Sequence, residues 1–165
     1  MSYNKGYVLL AFICILFSAS VSAQNDVIRQ QSCEDNSLQH SVDSVKQTYS
    51  KEGFVVLREA SVTMESEYEM PIVLPMQQGV IYQFVFVGDP TSKLYEVRMF
   101  DWNERQVVYK KNMWGDVDGN VISFNYIPQF SEYHMIKPVQ VNKKKKKLCG
   151  YVLLLKKPLP TEMKQ

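Results

Sequence analysis

The amino-acid sequence predicts a mainly β fold, an antiparallel β-sandwich of about eight strands with one N-terminal helix. Short runs rich in β-branched and aromatic residues recur from residue 54 onward at roughly 8–12-residue spacing, with turn residues between them. This spacing is typical of a sandwich or a barrel. Only one stretch has helical periodicity, so a parallel sheet, which needs helices to connect its strands, is not expected.

The first 23 residues have the order of a secretory signal peptide. Lys5 gives a short positive region, residues 7–17 are apolar, and a small-residue segment ends at Ala23. An apolar run of 11 residues is too short to cross the hydrocarbon core of a membrane as a helix. We therefore expect cleavage before Gln24, no transmembrane anchor afterwards, and a secreted or periplasmic protein.

About 140 residues would remain after cleavage, enough for one domain with its own core. Residues 24–36 are polar and are predicted to be a flexible lead-in. Residues 37–165 are predicted to form a single helix-plus-sandwich domain.

The helix is predicted over residues 37–51, because one apolar stripe recurs at helical spacing. Asn36 or Ser37 would be its N-cap, and Gly53 would lie just past its C-terminus. The residues of the stripe are Leu38, Val42, Val45 and Tyr49.

The strands follow from runs of alternating or continuous apolar residues. Residues 70–76 contain two prolines, which favours an edge strand. Residues 80–87 are almost entirely β-branched or aromatic, which favours a central buried strand. The remaining strands are predicted at 54–62, 94–100, 106–111, 121–126, 132–141 and 148–155.

Cysteine usage depends on the signal peptide, because cleavage would remove Cys14 and leave Cys33 and Cys149. In an oxidising compartment this pair could form a disulfide. The alternative is two separate thiols, with Cys149 buried on a strand. The two cysteines and two distant histidines lack the spacing of a zinc site.

The formal net charge of the chain is +2, so there is no overall bias toward nucleic acid, and no nucleic-acid partner is expected. One local feature stands out, a run of five lysines that predicts an exposed loop. This loop could attract an anionic surface, or it could simply solubilise a hairpin and protect strand edges. The run comprises Lys143, Lys144, Lys145, Lys146 and Lys147.

Asp116, Asp118 and Asn120 have the alternation of a calcium-binding loop, since alternate oxygen ligands suit a hard cation. However, Val121 stands where such a loop needs glycine, and Ile127 where it needs a bidentate carboxylate. The Asp-Gly pair at 118–119 explains the same residues as a hairpin turn. No other metal and no cofactor are expected.

Aromatic residues cluster around the middle hairpins, where indole rings at loop tips could form flat platforms for sugar rings. We therefore regard Trp102, Trp114 and Tyr109, together with the lysine run, as candidate ligand-binding residues. The alternative is that these rings pack in the core or at its rim.

Catalysis is not expected from the sequence. His40 falls on the predicted helix and His134 on a strand, and no nucleophile motif accompanies either of them. A small hydrolase would need a site assembled in space from scattered Asp and Glu residues.

One half of the chain resembles a known family. Gly79-x-x-Tyr82 with apolar alternation is followed by Gly88-Asp89, by a strand ending at Asp101, by Phe124-x-Tyr126-x-Pro128 and by a closing strand from Gly150. This order resembles bacterial pre-peptidase C-terminal type domains over about residues 79–155. The resemblance implies a jelly-roll sandwich that binds ligands, calcium or polymers, or acts as a spacer. The chain departs from the pattern at Glu132, where the family has glycine, and in its leading helix.

Together these features predict an exported, non-catalytic binding or structural module with a jelly-roll-like sandwich. The alternative is a module that binds carbohydrate or an envelope polymer through exposed tryptophan and the lysine run. Its partner would be an envelope polysaccharide or another exported protein.

Overall fold

The computed structural model describes residues 28–31, 33, 38–113 and 118–158, and for 28–31 it describes the backbone. The predicted signal peptide, residues 1–23, lies outside the described residues, as does most of the lead-in at 24–36. Within that lead-in, however, Ile28–Gln31 forms a strand, β1. It pairs in parallel with Arg58 to Ser61 of the next strand, which satisfies backbone hydrogen bonds along that sheet edge.

The predicted helix is confirmed as α1, Gln39–Lys51. Its apolar stripe is buried at Val42, and Gly53 has the positive φ of a helix-terminating residue, +84°. The N-cap prediction was wrong in one respect. The cap position is occupied by Leu38, which makes no side-chain cap hydrogen bond and is instead buried. Asn36 and Ser37 lie outside the described residues.

Eight strands follow the helix, and each corresponds to a predicted one with ends shifted by no more than a few residues. They are β2 (Val55–Glu65), β3 (Ile72–Met76), β4 (Tyr82–Gly88), β5 (Leu94–Phe100), β6 (Gln106–Asn112), β7 (Val121–Tyr126), β8 (Glu132–Val141) and β9 (Lys147–Lys156).

The strands form two sheets, with the orders β1-β2-β9-β4-β7 and β3-β8-β5-β6. Apart from the β1–β2 pair, all pairings are antiparallel. From β2 to β9 the chain changes sheet at every connection except β5 to β6, which form a hairpin within one sheet. This order of eight strands in two four-stranded layers is that of a jelly roll, so the predicted fold is confirmed.

The predicted positions of individual strands also hold. Strand β3, which contains Pro75 and follows Pro71, lies at the edge of its sheet, and β4 lies between β9 and β7 with every residue buried. On β5 the side chains of Tyr95, Val97 and Met99 point into the core and are 0% exposed.

Two apolar clusters hold these layers together. The larger lies between the sheets and includes Phe84, Phe86, Ile136 and Leu154. The smaller lies on the outer face of the five-stranded sheet, where α1 packs through Val42. One sheet is therefore covered on both faces, while no described element packs on the outer face of the other.

A disulfide joins Cys33 to Cys149, whose Cα atoms are 5.9 Å apart. It connects the segment before α1 to β9 across a sequence separation of 116 residues. The Ser61 hydroxyl donates a hydrogen bond to the Cys33 carbonyl at 2.8 Å, which fixes the same segment to β2. The two cysteines are therefore paired in the structure and are not separate thiols.

Candidate binding surface

The outer face of the sheet β3-β8-β5-β6, here called the open face, carries exposed apolar side chains. Tyr133 and Met135 on β8 lie opposite Pro75 and Val73 on β3, and Tyr133, Met135 and Val73 are all exposed. Contiguous exposed apolar surface on a soluble domain is characteristic of a contact site. The aromatic residues of this face lie toward the end at which β5 terminates.

Trp102 follows β5 and is 69% exposed, although tryptophan is on average a highly buried residue. The turn that holds it is organised by the buried carboxylate of Asp101. One carboxylate oxygen accepts the backbone N–H groups of Asn103 and Arg105, both at 2.9 Å. The other accepts from the Arg105 guanidinium at 2.8 Å.

Desolvation acts to raise the pKa of Asp101, but the hydrogen bonds from Arg105 and Asn103 and the Arg105 charge outweigh it and lower that pKa below its ordinary value. The carboxylate is therefore kept ionised, and it keeps the turn in place. Trp102 is exposed on a well-anchored turn.

The Trp102 ring contacts the Tyr133 ring, with centroids 6.2 Å apart and planes inclined at 47°. We call these two residues the aromatic pair. Tyr133 is 53% exposed, so both rings present a face to solvent while supporting each other. An aromatic contact of this kind adds modestly to stability and restricts the motion of both rings.

A polar cleft of about 430 Å³ lies at the same end of the sandwich as the aromatic pair. We call it the loop-end cleft, since it lies between the 101–105 turn and the segment 126–132. Asp101 and Glu132, which line it, are the direct sequence neighbours of Trp102 and Tyr133. Arg105, Gln106 and Tyr126 add further hydrogen-bonding groups. A cleft of this size is within the range of small-molecule sites, about 300–1,000 Å³.

His134 lies behind this cleft and is fully buried. Its Nε2 is 3.1 Å from the Tyr126 hydroxyl and 3.7 Å from a carboxylate oxygen of Glu132. Burial and the charges of Glu132 and Asp101 raise the pKa of Tyr126. The positive charge of Arg105 acts to lower this pKa but does not outweigh them. His134 thus lies beneath Tyr126 and Glu132, two residues that line the cleft, whereas His40 is exposed on α1.

Of the predicted ligand-binding residues, Trp102 and Tyr109 both reach the open face. Tyr109 lies on β6 opposite Arg98 and donates a hydrogen bond from its hydroxyl to Glu96 at 3.2 Å. Desolvation and the Glu96 charge raise the pKa of Tyr109. Trp114 lies outside the described residues.

The five lysines are all exposed, as predicted: Lys143 to Lys146 lie between β8 and β9, and Lys147 is the first residue of β9. We call these five residues the lysine loop. Asn142 organises it, because its side-chain oxygen accepts the N–H groups of Lys144 and Lys145 at 2.9 and 3.1 Å. The Lys145 ammonium lies 3.5 Å from the Asp89 carboxylate.

The lysine loop and the aromatic pair lie at opposite ends of the sandwich. Leu94, at the start of β5, pairs with Val141 next to the loop, while Trp102 follows the other end of β5. A strand of seven residues separates them by about 20 Å. The structure therefore does not bring the lysine loop and Trp102 together, as a single binding site that uses both would require.

The predicted calcium residues serve the turn before β7. The Asp118 carboxylate accepts the Met113 N–H at 3.1 Å, and the Asn120 amide donates to the Gly88 carbonyl at 2.8 Å. Gly119 has a φ of +78°, as a hairpin turn of this kind requires. Asp116 lies outside the described residues. Among the side chains that are described, no group of three or more His, Cys, Asp or Glu residues is arranged to hold a metal ion.

Sequence reasoning missed that Tyr133, Glu132, Arg105 and Tyr126 come together at one end of the sandwich. The alternation on β8 does assign Tyr133 to the face opposite His134, which was an available signal. The meeting of the 101–105 turn with residues 126–132 depends on β5 and β8 being neighbours, which no local pattern encodes.

Comparisons with known proteins give no family. No family model matches the chain, and no curated protein matches it. Among solved structures, one similar chain comes from "Structure of infectious bursal disease virus Gx strain", with 8% identity and a TM-score of 0.26. The match covers 62% of this chain and 33% of that one, so the present chain aligns with about a third of the viral chain. No helix in the described part of the chain is long and apolar enough to span a membrane.

Proposed function

We propose that this protein is an exported, non-catalytic jelly-roll module that binds carbohydrate through the aromatic pair and the loop-end cleft. The observation that carries the proposal is the exposure of Trp102 on a turn anchored by Asp101. An exposed indole on a mobile loop would lose entropy on binding, whereas an anchored ring does not.

The chemistry of the surface matches that of a sugar. The faces of the Trp102 and Tyr133 rings can cover the apolar C–H face of a sugar ring. The cleft at the same end of the sandwich supplies donors from Arg105 and Gln106 and acceptors from Glu132, which suit hydroxyl groups. Envelope polysaccharide is accordingly the partner we propose, and an exported protein the alternative one.

Export is supported by the signal-like segment at 1–23 and by the Cys33–Cys149 disulfide, because disulfides persist in oxidising compartments. The resemblance to pre-peptidase C-terminal type domains stays a prediction, and a binding role does not depend on it.

The loop-end cleft contains two carboxylates, Asp101 and Glu132, as a hydrolase site would. Both oxygens of Asp101, however, are engaged by Arg105 and Asn103 within the turn, and its low pKa makes it a poor proton donor. We therefore assign Asp101 a positioning role. Release of reducing sugar from any glycan that the protein retains would contradict the non-catalytic assignment.

A glycan array and polysaccharide pull-downs test the proposal with Trp102→Ala and Tyr133→Ala. Each substitution should reduce retention at least tenfold, since aromatic anchors dominate the binding energy of such surfaces. The matched control is Tyr68→Ala, because Tyr68 is 67% exposed but lies on the β2–β3 connection, away from the cleft. Retention unchanged by Trp102→Ala, or lost equally with Tyr68→Ala, would refute the assignment of this surface.

A further inference from the structure

A second cleft opens at the side of the sandwich, between β2 and β3, and most of the residues that line it are apolar. We call it the side cleft; its volume is about 370 Å³. Its walls include core residues from both sheets, namely Val62, Leu74, Val152 and Leu154. The cleft therefore leads from the surface to the apolar interior between the sheets.

One charged group, the guanidinium of Arg58, stands among these apolar residues. Arg58 alternates along β2 with Ala60 and Val62, which places the three side chains on the inner face of the sheet. Arg58 is half-buried and lines the cleft. Within the described part of the chain, its guanidinium makes no hydrogen bond or ion pair.

The neighbouring carboxylate does not neutralise Arg58. Glu59 also contributes to the lining, but its side chain belongs to the other face of β2, where it pairs with Lys46 of α1 and accepts a hydrogen bond from the Tyr151 hydroxyl at 2.9 Å. The positive charge at the side cleft is therefore available to a ligand. A guanidinium prefers a carboxylate, which it can bind through two parallel hydrogen bonds.

We propose that the side cleft binds a free fatty acid, with the acyl chain between the sheets and the carboxylate on Arg58. The volume is enough for a chain of roughly ten carbon atoms, because a methylene occupies about as much space as a water molecule, ~30 Å³. Burying such a chain against Val62, Leu74 and Leu154 supplies the apolar contribution. Arg58 supplies the selectivity for an anionic head group.

Titration calorimetry with decanoate, decanol and decyltrimethylammonium, each below its micellar concentration at pH 8, tests this site in the full chain. The wild-type protein should bind decanoate most tightly. Arg58→Gln should weaken decanoate binding at least tenfold and leave decanol binding unchanged. Arg105→Gln, which removes a guanidinium from the loop-end cleft instead, should alter neither.

Ala60→Phe, which fills the cleft, should abolish binding of decanoate and decanol alike. If that variant does not fold, the comparison of Arg58→Gln with Arg105→Gln decides alone. Absence of saturable decanoate binding would overturn the proposal. Equal binding of decanoate and decanol, or equal losses in the two arginine variants, would overturn it as well.

Discussion

Gly88 lies directly against the aromatic ring of Tyr95, so that a Cβ atom at Gly88 would occupy the position of the ring. The two residues stand at the end of β4 and near the start of β5, on neighbouring elements of the two sheets. Tyr95 is fully buried, and its hydroxyl donates to the backbone carbonyls of Asp89 and Ser92 at 2.7 and 3.1 Å. Glycine at position 88 is what allows the ring to reach these carbonyls.

Gly88→Ala should therefore destabilise the protein by about 2–3 kcal/mol, since neither the buried ring nor the backbone can move away freely. Urea denaturation measures the change. Gly119→Ala is the control, because its Cβ would meet nothing within 4 Å and only its φ of +78° opposes the substitution. That variant should lose about 1 kcal/mol. A smaller loss at Gly88 than at Gly119 would contradict the packing argument.

The same burial makes stability sensitive to alkaline pH. Desolvation, with a contribution from the Asp89 charge, raises the pKa of Tyr95 from 10.0 to about 12. The folded state thus holds the phenolic proton more tightly than the unfolded state does, and this contribution is complete below pH 10. It should be lost progressively as the pH rises from about 10 to about 12.

Urea midpoints at pH 9 and pH 11.5 should show this loss, and Tyr95→Phe, which cannot ionise, should show a smaller one. The phenylalanine variant should also be less stable at pH 9, because the hydrogen bonds from the Tyr95 hydroxyl to the carbonyls of Asp89 and Ser92 are lost. An identical alkaline decrease in both proteins would assign the effect to other groups.

Lys46 on α1 pairs with the Glu59 carboxylate, which is 5% exposed under the helix. Lys46→Met should destabilise the protein by about 2–3 kcal/mol, because it removes a cation that pairs with this buried carboxylate. Thermal unfolding measures this loss. Lys137→Met is the matched control, since Lys137 pairs at 3.0 Å with the exposed Glu69. That pair should contribute less than about 1 kcal/mol, and equal losses in the two variants would contradict the role of burial.

The lysine loop gives a prediction separate from the aromatic pair. Replacing residues 143–147 with Ser and Gly should reduce binding to anionic phospholipid vesicles, and added salt should reduce it in the unmodified protein. The control replaces Lys110 and Lys111, which are equally exposed on β6. If the loop replacement does not change vesicle binding, the prediction that the loop binds anionic surfaces is wrong, and its role is to solubilise the hairpin.

Most of the fold could be predicted from the sequence because its strands have local signals. The continuous apolar run at 80–87 predicted the central buried strand β4, and the prolines predicted β3 as an edge strand. Strand β1 was not predicted, because Ile28–Gln31 has little apolar character of its own and is a strand through its pairing with β2. Local propensity does not encode such pairing.

The candidate surface was predicted only in part, for a related reason. Trp102 was identified as an exposed aromatic residue in a turn, but its partner Tyr133 lies 6.2 Å away across strands that are distant in sequence. Arg58 gave no signal at all in the sequence, because its importance lies in having no hydrogen bond or ion pair with the residues that the structure describes. Such features depend on which strands become neighbours in space.

The disulfide between Cys33 and Cys149 has a topological consequence as well as an energetic one. It closes α1 and strands β2 to β8 into one covalent ring. A protease that cuts a single exposed connection within this ring, such as the lysine loop, opens the chain without releasing a fragment. Both pieces stay joined, and the strands on either side of the cut keep their partners. A protein built this way can lose the continuity of its backbone at one point and still remain a single molecule.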